Sequence, residues 1–209
     1  MNTYDEKGLY IRRWIITFVF TLLIFASLPI FPTIWYFFSR LFPDILKGVT
    51  SAITPLFVFL FFAYFIFIKR KKDSLFYLWS AVFLFSYWPL VYFYCEFPAE
   101  RLHMAEYGLL VIFVYRALKV RIKTVWIYLP IILYTFFVGL LDEIIQGILP
   151  NRVYEFKDIT INWASSFLAT CLLAGCTWQR FTHVVHIRRF RKWSMVIISM
   201  VLVGNIVLF

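Results

Sequence analysis

Apolar positions along this chain follow neither strand alternation nor a one-sided helical stripe; they come as long runs separated by short charged clusters. Seven runs of 17 to 20 residues stand out: Trp14–Phe31, Val49–Ile68, Leu75–Tyr94, Leu102–Leu118, Val125–Leu141, Ile159–Trp178 and Trp193–Phe209. A hydrocarbon core about 30 Å thick takes roughly 17–25 helical residues to cross, so each run predicts one membrane span. The expected fold is all-α, a polytopic transmembrane helical bundle. Between the first two runs, Pro32–Lys47 holds Trp35, Tyr36, Phe37 and Phe38 between two prolines and reads as an interfacial segment. Pro89 and Pro130 fall inside runs and predict kinks, which neighbouring membrane helices can accommodate. There is no internal repeat and no polar linker, so residues 1–209 read as a single membrane domain.

Composition strengthens this picture. The chain is 63% hydrophobic, 22% aromatic and 15% charged, whereas a soluble domain is roughly 45–50% apolar and about 25% charged. The net charge of +10 does not point to nucleic acid, because the cations sit in clusters between apolar runs and act as topology signals. The first run follows Lys7, Arg12 and Arg13, but it is long for a secretory h-region and lacks a small-x-small cleavage pattern, so it is kept as a span. Alternating loops then place 16 of the 21 Lys and Arg residues on one side and 5 on the other. The positive-inside rule puts the N-terminus in the cytoplasm and the C-terminus outside. Most acids show the opposite bias: Asp44, Glu96, Glu100, Glu106, Asp142, Glu143, Glu155 and Asp158 fall outside or near outer span ends. Cys95, Cys171 and Cys176 have neither zinc-site nor disulfide-framework spacing.

Polar chemistry concentrates in two outer segments. In Glu96–Tyr107, Pro98 suits the first turn of a helix, and Glu100, His103 and Tyr107 share one helical face, with Arg101 and Glu106 close by. In the second segment, Asp142 and Gln146 are spaced i, i+4 at the end of an apolar run, with Glu143 beside them. Pro150-Asn151 then reads as a turn presenting Arg152. Asp158 and Asn162 are again i, i+4 and open the next helix, with Asp158 a candidate N-cap. An ionisable group at membrane depth costs about 2.5–3.5 kcal/mol at the centre, so these side chains are expected to face one another or a wet cavity. Taken singly, each reads equally well as a structural residue, interfacial or ion-paired, or as part of a functional site; their clustering from three helices in one leaflet favours the site.

The order His103 and Tyr107, then Asp142-Glu143-x-x-Gln146, Pro150-x-Arg152 and Asp158-x-x-x-Asn162 resembles the VanZ-like family of bacterial membrane proteins. The family is named for a protein associated with teicoplanin resistance. The motif-bearing part covers about residues 96–178, with additional spans 14–31, 49–68 and 75–94 before it and 193–209 after it. Asn151 stands where the family turn has glycine, and Ser165 and Ala169 stand where it tends to have glycines. The resemblance implies a multi-pass protein of the bacterial cytoplasmic membrane acting at the envelope side, with a link to glycopeptide resistance.

Three functions remain open on these residues. In the first, Arg101, Tyr107, Gln146, Arg152, Asp158 and Asn162 bind a lipid or envelope-precursor head group; a glycopeptide-related ligand belongs to the same expectation. In the second, His103, Glu106, Asp142 and Glu143 are catalytic in an intramembrane hydrolase or transferase. No cofactor is expected, although these carboxylates with His103 and Asp158 have the chemistry to hold a divalent cation. Cys95, Ser165 and Ser166 are weaker candidates for a nucleophile. In the third, the protein is a non-catalytic accessory subunit. His183 and His186 belong to the opposite loop, whose Arg188, Arg189, Arg191 and Lys192 are expected to meet anionic lipid.

Overall fold

A computed structural model of the chain describes residues 3–42, 74–95, 100–150, 152 and 154–177, with scattered positions between 44 and 67. Most of the expected span 49–68, the expected span 193–209, the 180–192 loop with its two histidines, residues 96–99 and Asn151 lie outside the described residues.

Every element described is helical. Helix α1 covers Thr3–Leu41, α2 Ser74–Pro89, α3 Glu100–Leu118, α4 Tyr128–Ile148 and α5 Phe156–Thr177. Three of them have the length and apolar character to cross a membrane: α1, the segment Val125–Ile148 that contains α4, and α5. Helix α3 occupies an expected span, yet it carries Glu100, Arg101, Glu106 and Arg116 within 19 residues and is correspondingly less apolar. The outward faces of α1 and α4 expose Ile15, Phe18, Leu23, Phe137 and Leu141, a surface that hydrocarbon tolerates and water does not. This is a helical membrane protein.

Two proline expectations need correction. The segment after Phe31 is not a separate interfacial stretch, because α1 runs on through Pro29 and Pro32 to Leu41, 39 residues in all. In an apolar setting, uncoiling would strand more backbone groups than the prolines do. At about 1.5 Å per residue α1 reaches about 58 Å, longer than the hydrocarbon core. Pro130 does not interrupt a helix either: α4 begins at Tyr128, after a short tight turn at Val125–Ile127, so Pro130 sits in its first turn, where the missing N–H costs little. Pro89 acts as expected. The α-helix ends there and widens into a π-helical turn, Leu90–Tyr94, closed by the Cys95 N–H donating to the Leu90 carbonyl at 3.1 Å.

Packing fixes which helix ends meet. Glu100, Met104 and Gly108 of α3 lie beside Lys157, Ile161 and Ala169 of α5, so these helices run parallel. Helix α4 runs against both, bringing Gly139 to Tyr107 and Asn162 at one end and the Tyr128 hydroxyl to Thr177 at the other. Helix α1 lies antiparallel to α3, with Phe20 on Phe113, and the Arg13 guanidinium donates to the Arg116 carbonyl at 2.8 Å. Helix α2 closes on α5 through Phe83, Leu168 and Leu172. The main core joins Ile24, Leu110, Val111, Val114, Ile127 and Ile131. The N-termini of α3 and α5 and the C-terminus of α4 therefore share one end of the bundle.

Candidate functional site

That shared end gathers the polar residues that the sequence marks. Asp142, Glu143, Gln146 and Asn162 are 0, 0, 1 and 1% exposed, and Tyr107 is fully buried above them. Helix α4 supplies the first three because Asp142, Glu143 and Gln146 occupy one inward face of its last turns, while Leu141 and Ile144 face out. The close approach of α4 depends on Gly139. A Cβ there would stand 3.2 Å from the Asn162 Cβ and 3.4 Å from the Tyr107 ring.

Gln146 is the hub. Its Nε2 donates to Glu143 Oε1 at 2.7 Å and reaches Asp142 Oδ2 at 3.5 Å. From α5, Asn162 Nδ2 donates to the same Asp142 oxygen at 3.5 Å. The other Glu143 oxygen accepts the Glu155 backbone N–H at 3.4 Å. Gln146 thus bonds more tightly to Glu143, three residues back, than to Asp142, four residues back.

The charged rim converges on this core. His103 Nδ1 stands 3.4 Å from Glu106 Oε2, an ion-pair distance outside hydrogen-bond geometry, with the two side chains 15 and 34% exposed. His103, Glu106 and Arg152 all act electrostatically on Asp142, and His103 also acts on Glu143 and Asp158. Tyr107 Oη lies close to Asp142 without adopting hydrogen-bond geometry. Just past the end of α4, the Arg152 N–H donates to the Leu149 carbonyl at 3.2 Å. Arg101 acts electrostatically on Cys95 and is not among the five groups acting most strongly on Asp142, Glu143 or Asp158.

Asp158 is not the N-cap of α5, because the helix begins at Phe156 and Asp158 lies within its first turn. The turn preceding it is closed instead by the Asp158 N–H donating to the Glu155 carbonyl at 3.1 Å. Sequence reasoning also passed over the Lys157–Glu100 pair, 3.3 Å apart, which clamps the N-termini of α3 and α5 together. The nucleophile candidates are engaged or sequestered: Ser165 Oγ donates to the Ile161 carbonyl at 2.7 Å and Ser166 Oγ to the Asn162 carbonyl at 2.9 Å. Cys95 is buried, and burial pushes its thiol up to about 12. Among the described residues, no three His, Cys, Asp or Glu side chains converge in a group suited to a metal ion.

What sets this end apart is unmet hydrogen-bonding capacity. The buried atoms Tyr107 Oη, Asp142 Oδ1, Asn162 Oδ1, Asp158 Oδ1, His103 Nδ1 and Arg152 Nε have no hydrogen-bond partner among the described residues. A folded protein pairs most buried polar atoms, so six at one helix junction mark a place where other polar atoms fit. No family model, no curated protein and no solved structure matches the chain.

Proposed function

We propose that this chain is a VanZ-like multipass protein of the bacterial cytoplasmic membrane, binding the head group of a lipid or envelope precursor between α3, α4 and α5. One observation carries the proposal: Arg152 holds a buried Nε with no partner among the described residues, within electrostatic reach of Asp142, which keeps an unpaired oxygen of its own. A guanidinium presents its donors in a fixed fork that suits phosphate or carboxylate. The apolar outer faces of the bundle would seat acyl chains, while Gln146 and Asn162 line the polar floor.

Seven spans with the N-terminus cytoplasmic would turn this end of the bundle away from the cytosol. The opposite end, where Arg13 and Arg116 meet, would then face the cytosol. The resemblance extends the proposal to glycopeptide tolerance. Mass spectrometry of lipids carried by gently purified wild-type and Arg152→Ala protein tests the binding reading. Loss of one lipid class in the variant is the expected result; identical lipid profiles would remove the reading. Cysteine labelling in intact cells at positions 121 and 152 tests sidedness, with modification by an impermeant reagent expected at 152 alone.

A second reading is supported by His103, which lies within electrostatic reach of Glu106, Asp142 and Asp158. A histidine among carboxylates can act as a general acid or base on the bound head group, giving a hydrolase or transferase. Here His103→Ala would retain the bound lipid but abolish its chemical conversion.

A further inference from the structure

The four carboxyl groups of the site are not equivalent. Glu143 has both oxygens occupied, one by Gln146 and one by the Glu155 N–H. Glu106 is drawn to His103. Asp142 and Asp158 each retain a buried oxygen without a partner among the described residues, and so does the Asn162 side-chain carbonyl. Asp142 and Asn162 are almost completely buried, so these acceptors cannot be served by bulk water.

The site therefore has two chemical halves. Arg152 seeks an anion, whereas Asp142, Asp158 and Asn162 present acceptors, two of them carboxyl groups. Phosphate alone would satisfy Arg152 but would bring negative charge into a confined space already holding carboxylates, where repulsion is poorly screened. A primary ammonium offers N–H donors and no acceptor, which suits the polarity of these unpaired oxygens; toward them the protein itself supplies the nearby Tyr107 hydroxyl at Asp142. A quaternary ammonium has the charge without the donors. A glycerol head group has hydroxyl donors without the charge.

Resting on the head-group site proposed above, we infer that its ligand is zwitterionic. A phosphodiester sits on Arg152 and a primary ammonium is received by Asp142, Asp158 and the Asn162 carbonyl, as a phosphoethanolamine head group would allow.

The test uses the purified full-length chain in detergent, offered an equimolar mixture of phosphatidylethanolamine, phosphatidylglycerol and phosphatidylcholine with identical acyl chains. Native mass spectrometry reads the bound lipid. The ethanolamine lipid is expected to be retained about tenfold over the other two, the scale of one hydrogen bond to a charged group. Asp142→Asn should bring the three lipids to near parity, and Arg152→Ala should release all of them. N-acetylated phosphatidylethanolamine offered to the wild-type protein removes the ammonium without altering the chain, so the test survives a variant that fails to fold. It is expected to bind no better than the glycerol lipid. Lipid that depends on Arg152 but is indifferent to the amine would overturn this inference and leave the head-group reading standing. Lipid binding that is indifferent to Arg152 would overturn both.

Discussion

The two ends of the bundle are both rich in charge, and they handle it in opposite ways. At the α3–α4 turn the cations are surface groups with partners already supplied. Arg13 caps the Arg116 carbonyl, Lys123 donates to the Lys119 carbonyl at 2.8 Å, and Arg121 lies over the Tyr10 ring at 4.0 Å. Carbonyls in the last turn of a helix lack intrahelical partners, so cations there complete the fold and ask for nothing else. At the α4–α5 turn, charge and amide groups lie inside the protein, and several polar atoms have no partner. Charge by itself marks a side of the membrane. Buried charge left incomplete is what the proposed head-group site rests on.

The sharpest way to break this contrast is to remove the hub of the buried end. Gln146→Leu takes away the 2.7 Å bond to Glu143 and the weaker one to Asp142. A buried acceptor stripped of its donor costs about 1–3 kcal/mol, and we expect a loss of about 2 kcal/mol in thermal unfolding of detergent-solubilised protein. Lys123→Ala, which removes one bond at the other end, is expected to cost less than about 0.5 kcal/mol. Equal losses from the two changes would erase the distinction between the ends.

A smaller effect should come from the backbone approach that builds the buried end. Gly139→Ala puts a methyl group 3.2 Å from the Asn162 Cβ, tighter than ordinary packing. Overpacking of this kind costs about 1 kcal/mol or somewhat more, and we expect about 1 kcal/mol here. Because the methyl group pushes on Asn162 and Tyr107, Arg152-dependent lipid should fall as well. Unaltered lipid binding in a destabilised protein would mean that these two residues only pack.

The sequence made much of this site legible because helical spacing is a geometric constant. Glu100, His103 and Tyr107 at i, i+3 and i+7 had to share a face, as did Asp142 with Gln146 and Asp158 with Asn162. Four of the apolar runs, 75–94, 102–118, 125–141 and 159–178, likewise announced described helices at nearly correct positions, and Pro89 announced a disturbance. Other features depend on what stands opposite. Gln146 can turn to either Asp142 or Glu143, and the choice of Glu143 depends on how α5 and its preceding loop are seated. Gly139 looks like any glycine in an apolar helix until Tyr107 and Asn162 are set against it. Pro32 suggested the start of a separate interfacial segment, but a helix end is less favourable where the surroundings offer no hydrogen bonds. Lys157 gave no signal, because its partner Glu100 lies 57 residues away in the chain.

The smallest effect is expected at the basic end, and it sharpens the comparison by its kind rather than its size. Arg121 is exposed and borders a cavity of about 260 Å³ together with Glu6, Lys7 and Val120. Its stacking on Tyr10 is the type of contact worth about 0.5–1 kcal/mol at most in exposed settings, and screening by salt weakens it further. Arg121→Ala should therefore change thermal stability by no more than about 0.5 kcal/mol and leave Arg152-dependent lipid untouched. It should also reduce the salt-sensitive association of the protein with anionic vesicles, because each basic residue near such a surface contributes about 1 kcal/mol. The response is additive and graded, as expected for a surface that reads only net charge. A response at Arg121 as selective for one head group as that expected at Arg152 would show that the basic end, too, is a site.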